Sequence, residues 1–216
     1  KIEGYDNSVF IYRDHNMRNF FSKICTTQIN SQSLKIIAFI SSCLPSIGMA
    51  QTTFTDPVLY TAFSHSPYQT ALQVTDVYFG ECTSQSKADK RKDAWRCQAN
   101  GQTFDPCFQH PFVNRNQLIC PLSPWQSAAV KITTHQELDD SQHAELDMSR
   151  NNPWAMELKD GTRCIINTST DSSSYKYHCG DQDYLVGNIY RCKGSWEIYR
   201  KSGESFEVAE VKRAWF

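Results

Sequence analysis

The fold turns on one run, Trp154-Ala155-Met156-Glu157-Leu158-Lys159-Asp160-Gly161-Thr162-Arg163-Cys164-Ile165-Ile166. Its two arms, 154–158 and 163–166, flank an Asp160-Gly161 step. Asp-Gly supplies the positive φ angles of a tight primed turn, so the arms pair as a β-hairpin. Outward from this hairpin the chain offers more short β-like runs. Upstream lie 74–79, a less regular 113–120, and 128–133. Downstream lie 184–192, 196–200 and 206–216, with Gly194-Ser195 and Ser202-Gly203 as the turns between them. In the last run Phe206, Val208 and Glu210 alternate with Glu207, Ala209 and Val211, so its facing is mixed. Tyr175 and Tyr177 alternate with Lys176 and His178, which gives that run one polar face. Regularly spaced short strands predict a mainly β fold, an antiparallel β-sandwich or a small barrel.

Cysteines set the second expectation. Beyond a hydrophobic leader there are seven, and six form short-range couples: Cys82/Cys97, Cys107/Cys120 and Cys164/Cys179. Closing loops of this size is worth about 3 kcal/mol per bridge in the entropic account. Three bridges would together approach the whole stability of a typical domain. Near-neighbour pairing has the smallest closure cost, although connectivity does not follow from sequence alone. A structural zinc or a redox dithiol would need cysteines only a few residues apart, and no Cys-x-x-Cys occurs. Cys192 is the odd thiol, set between Arg191 and Lys193. It reads as a buried thiol, a partner in a rearranged pairing, or one half of an intermolecular bridge.

The leader explains why thiols would be oxidised. Residues 1–16 lack hydrophobic period and precede Met17, and are read as a non-native or misassigned extension. Residues 17–50 read as a signal peptide. Arg18, Lys23 and Lys35 form a basic region, 36–47 is mostly apolar, and Gly48-Met49-Ala50 is a small-x-small cleavage site behind Pro45. The apolar run is too short to span a bilayer, which takes roughly 20 residues. Two alternatives stand beside it: a buried core helix, and a lipobox Ile40-Ser41-Ser42-Cys43 with Cys43 as an acylated N-terminus. Residues 51–73 are polar and read as a linker or extension with room for one short strand; the disulfide-braced body is 74–216.

Charge excludes some functions. The net charge is −1 and no basic stripe with interleaved aromatics exists, so nucleic-acid binding is not expected. The cluster 87–96 is broken by Asp89 and Asp93 and reads as a solvated, charge-mixed loop. Catalytic signatures are missing too: no Gly-x-Ser-x-Gly elbow and no Gly-rich phosphate cradle. Cys107 and His110 are close, but Cys107 belongs to a couple. Asp181 and Asp183 could pair for glycoside hydrolysis, yet they follow Cys179-Gly180 in an exposed-looking turn. A near-repeat gathers His135, Glu137, Asp139, His143, Glu145 and Asp147 as a short helix or a long exposed loop. These are metal-ligating residue types, but the run is not His-Glu-x-x-His and has no evident third ligand, so a solvated loop is the reading kept. No catalytic residue, metal or cofactor is assigned. Aromatics remain: Trp95, Trp125, Trp154, Trp196 and Trp215, with Tyr175, Tyr177, Tyr184, Tyr190 and Tyr199. Most are expected in the core; any left exposed would suit a carbohydrate or protein partner.

An ordered series of blocks runs from about 80 to 216. It comprises Arg91-Lys92-Asp93-Ala94-Trp95-Arg96-Cys97, Phe104-Asp105-Pro106-Cys107-Phe108, Ile119-Cys120-Pro121 and Pro124-Trp125. It continues with Pro153-Trp154-Ala155-Met156-Glu157-Leu158, Asp160-Gly161-Thr162-Arg163-Cys164 and Tyr177-His178-Cys179. The series resembles an uncharacterised family of secreted bacterial disulfide-containing domains with blocks Asp-Ala-aromatic-Arg-Cys, Asp-Pro-Cys-Phe and Asn/Asp-Gly-x-Arg-Cys. The resemblance implies secretion, local disulfides and a mainly β module, and carries no catalytic residue over. The His-x-Glu-Leu-Asp repeat departs from that pattern and reads as a local insertion.

Together these observations predict a secreted or periplasmic binding module at a bacterial envelope, meeting an extracellular protein or glycan, with no membrane span in the mature chain. The alternatives are a secreted hydrolase with an unrecognised acid/base site and a periplasmic inhibitor of a lysozyme-like enzyme, the latter by analogy alone. A cleft holding facing carboxylates, or a carboxylate with a histidine, would favour the hydrolase; an aromatic patch would favour binding.

Overall fold

The structure, a computed structural model, describes residues 54–63, 67–110, 112, 114–168, 175–191 and 194–216. The readings of 1–16 as an extension, of 17–50 as a signal, of Cys43 as an acylation site and of Cys192 as an odd thiol lie outside the described residues.

Twelve strands and no helix occur among the described residues. In chain order they are β1 Asp56–Val58, β2 Gln73–Gln85, β3 Ala94–Ala99, β4 Gln102–Gln109, β5 Gln117–Pro121 and β6 Ala128–Thr133. Then follow β7 Ala155–Leu158, β8 Arg163–Ile166, β9 Tyr175–Gly180, β10 Asp183–Tyr190, β11 Trp196–Ser202 and β12 Ser205–Trp215. Strands β2 to β6 form an antiparallel meander closed into a barrel. Five alternating strands must meet their first member running the same way, and the closing β2–β6 pair is indeed parallel. Strands β7 to β12 form a second meander; with six strands its closing β12–β7 pair is antiparallel. β1 lies parallel to the end of β12, with Val58 opposite Trp215. The mainly β fold is therefore two small barrels, and the sandwich alternative gives way to closure, which removes open strand edges.

Each barrel is filled by the inward side of its strands, at every second residue. Trp95, Cys97 and Ala99 of β3 meet Leu118, Cys120 and Ile132 inside the first. Met156 and Leu158 of β7 meet Tyr177, Leu185, Ile198 and Val211 inside the second. A third cluster draws on both: Tyr60, Ala88, Phe108, Trp154, Ala155 and Trp215. The bridges are Cys82–Cys97, Cys107–Cys120 and Cys164–Cys179, each with Cα atoms 4.0 Å apart. Each staples one antiparallel neighbour to the next: β2 to β3, β4 to β5, β8 to β9. Directly opposed residues in antiparallel ladders come closest at the non-hydrogen-bonded sites, so neighbouring strands can be bridged there.

Two stretches differ from expectation. Residues 54–63, inside the run read as linker or extension, are part of the body. Thr55 Oγ1 donates to Val211 O at 2.5 Å and accepts the Trp196 N–H at 2.7 Å, and Tyr60 is fully buried. The cluster 87–96 is solvated only in part. Lys87, Lys90 and Lys92 are exposed, but Ala88, Asp89, Ala94 and Trp95 are buried, because the segment runs into β3. The repeat at 135–147 takes the loop form and not the helix; its apolar members Leu138 and Leu146 pack against the two barrel cores. Gly80 marks a tight place on β2: a Cβ there would stand 2.5 Å from Gln98 O and 2.8 Å from Ala99 Cβ on β3.

Candidate functional site

Register creates the candidate site. Ile165 of β8 lies opposite His178 of β9, His178 opposite Tyr184 of β10, Tyr184 opposite Lys201 of β11, and Lys201 opposite Phe206 of β12. Directly opposed residues share a face, so these five form one row across five strands of the six-stranded barrel. The next positions, Tyr177 and Leu185, are fully buried, which puts the row on the outer wall.

Tyr175 adds a second ring to this row. It stacks on Tyr184 with centroids 4.3 Å apart and planes 17° from parallel. His178 meets Tyr184 edge-on at 5.5 Å. Lys201 Nζ donates to Tyr175 Oη at 2.8 Å and stands 5.1 Å from that ring's centroid. Phe206, at the end of the row, is 63% exposed. A groove of about 690 Å³ runs along the inner part of the row. Its floor is Ile165, Ile166, Tyr175, His178 and Tyr184, and Arg96 and Thr103 of the five-stranded barrel form the opposite wall.

Arg96 is held from behind. Its Nη1 donates to Asp105 Oδ2 at 3.0 Å, and the Asp105 side chain is only 2% exposed. Asp105 also accepts from Ser86 Oγ and from the Lys87 N–H at 3.1 Å. The guanidinium is thus fixed in place with its outer edge on the groove. No carboxylate is among the described residues that line this groove. The arrangement can stack a flat ligand and donate hydrogen bonds to it. Among the described residues it shows no acid pair of the kind that cleaves a glycosidic bond.

Titratable groups elsewhere do not converge on the row. Asp89 has its pKa pushed up to about 7 by burial, with the Arg91 charge opposing and Asp93 and Asp105 reinforcing. A carboxyl shifted that far is often catalytic. Asp89, however, is fully buried, and neither carboxyl oxygen finds a hydrogen-bond partner among the described residues, so no substrate reaches it. Asp183 is bound by Arg200, which also reaches Asp160 in the β7–β8 turn; the guanidinium holds the Asp183 carboxyl below its ordinary range, while Asp160 is lowered against its desolvation by hydrogen bonds from Thr162 first and Arg200 second. It is a structural clasp between turns, and Asp181 does not join it. Cys107 is bonded to Cys120, so it offers no thiol to His110.

The histidine repeat lines a smaller groove of about 410 Å³ with His135, Glu137 and Asp139 beside Gly80 and Trp95. Its acids are engaged locally. Asp139 accepts the Ser141 N–H at 2.9 Å and Asp147 accepts the Ser149 N–H at 2.9 Å, which lowers both pKa values. His143 packs on Trp95 at 4.1 Å with Nδ1 2.8 Å from Lys92 O. The two histidines thus take different neighbours, and no group of three or more His, Cys, Asp or Glu positioned for a metal occurs among the described residues. The carboxylate-and-histidine criterion for a hydrolase is met here only in composition.

The row was out of reach of sequence reading because its members come from five runs, and only the register brings them together. The one visible hint was Tyr175 and Tyr177 alternating with Lys176 and His178; it announced a polar face without saying what would lie beside it. No helix among the described residues is long and apolar enough to cross a membrane. The chain matches no known family model, no characterised protein and no solved structure.

Proposed function

We propose that this protein is a binding module working in the periplasm or outside the cell, at a bacterial envelope, and that its ligand lies along the outer row from Ile165 to Phe206. One observation carries the reading: a stacked Tyr175–Tyr184 pair and an exposed Phe206 on an outer barrel wall, beside a groove whose described lining residues include no carboxylate. Tyrosine rings offer rigid contact area at little entropic cost, and they collect at recognition surfaces for that reason. Disulfides persist in oxidising compartments, so the three bridges support an address beyond the cytoplasm. A hydrolase would need its acids in the groove, and an inhibitor would need a protruding element to fill an enzyme cleft; neither has a comparable observation behind it.

Sedimentation with isolated cell-envelope material tests the proposal. The disulfide-intact protein should pellet with the envelope, and a Tyr184→Ala/Phe206→Ala variant should stay in the supernatant. Equal pelleting of both proteins, or of neither, would discard the row as the binding surface.

A further inference from the structure

We infer that the ligand of this row is an acidic glycan, a chain of pyranose rings bearing carboxylates. The inference rests on the binding reading and adds a chemical class to it. Three observations converge. The first is shape. The row crosses five strands, four spacings of about 4.8 Å each, so it offers roughly 19 Å of track to an extended ligand. Its exposed ring surface, Phe206 above all, can meet the C–H faces of sugar rings, while Arg96, Thr103 and His178 supply polar groups along the groove.

The second is charge. Arg96, paired from behind with Asp105, stands on one wall and Lys201 within the row, and no Asp or Glu is among the described residues that line the groove. Such a field disfavours an ammonium or a basic peptide and favours an anion. Arg96 is backed by the nearly buried Asp105, which fixes its orientation, whereas Lys201 is half-buried at the surface and carries its charge on the Tyr175 hydroxyl.

The third excludes the usual peptide mode. Extended peptides bind by adding a strand to an open sheet edge. The β2–β6 and β12–β7 pairings close both rings, so β8 to β11, which carry four of the row's five members, have neighbours on either side; β12 pairs with β7 only over its end, from Val211, so the Phe206 end of the row is laddered to β11 alone. A ligand along β8 to β11 must be read by its faces and substituents, as a sugar chain is.

Calorimetric titration of the disulfide-intact protein separates the possibilities. The probes are a short oligogalacturonate, a malto-oligosaccharide of equal length and an oligoglutamate peptide. Oligogalacturonate should bind, and the neutral sugar should bind at least about tenfold more weakly. Tyr184→Ala should cost about tenfold in affinity, the loss of one aromatic stack. Lys201→Gln, which leaves Asp105 paired, should weaken oligogalacturonate by a larger factor than the neutral sugar and flatten its salt dependence. Thermal melts of both variants at the wild-type temperature show that the fold is intact. Oligoglutamate binding as tightly as oligogalacturonate, unaffected by Tyr184→Ala, would overturn the glycan and leave an anion-binding surface. Envelope sedimentation without affinity for any probe would also overturn the glycan while the binding reading stands. Failure of both experiments would remove the two together.

Discussion

Asp89 shows how a single side chain can tie stability to pH. Its carboxyl is fully buried in the segment before β3, and its pKa rises from 3.8 to about 7. A folded pKa above the unfolded one means that the unfolded chain gives up this proton first. The neutral form therefore favours the fold below about pH 4, and that advantage is lost as pH rises to about 7. Three units correspond to about 4 kcal/mol at most. Asp89→Asn keeps the shape and removes the titration. Its urea midpoint should fall less than the wild-type midpoint between pH 5 and pH 8. That window lies above the range where the lowered carboxyls Asp139, Asp147, Asp160 and Asp183 take up protons, so they do not mask the effect. Identical midpoints at both pH values for the two proteins would show that Asp89 is not buried in its neutral form. Nothing in the sequence announced this residue: among Lys87, Lys90, Arg91 and Lys92 it looked like one more solvated charge.

Among the elements, the most legible were those whose turns carry a strong chemical signal. The Asp160-Gly161 hairpin is β7 and β8; Gly161 takes φ of 89°, but Asp160 does not share a positive φ, so the turn is not the primed one expected. The run 128–133 coincides with β6. β3 and β4 went unread for opposite reasons. β3 begins inside a charged cluster, and its Arg96 and Gln98 point away from the core. β4 contains Pro106, which demotes a run because it cannot donate to a ladder; the β3–β4 register shifts at that step between the Trp95 and Cys97 pairs. The disulfides compensate for this kind of ambiguity by fixing which strands adjoin. Replacing Cys164 and Cys179 together by alanine should lower stability by about 3 kcal/mol, read as a loss in the urea unfolding free energy. The far-UV spectrum should be unchanged, because the β8–β9 ladder does not depend on the bridge. A loss well under 1 kcal/mol would mean that the unfolded chain is already restrained there.

At the scale of the whole molecule, the mainly β class was readable from strand spacing, but the partition into two barrels was not. Barrel closure depends on which distant strands meet, and β2–β6 and β12–β7 join segments far apart in the chain. The same limit hid the aromatic row, which exists only once five strands are in register. β12 is the most connected of these elements, since it pairs with β11, β7 and β1. During synthesis, then, the larger ring stays an unfinished ribbon until its final stave arrives. A fragment ending before Ser205 would show raw edges on both β7 and β11 and leave β1 with nothing to lie along. Such edges recruit other chains, so this fragment should self-associate, as light scattering would report, where the intact protein remains dispersed. Completion of this ring is in effect postponed to β12, and a nonsense mutation there would be as damaging to it as one far upstream.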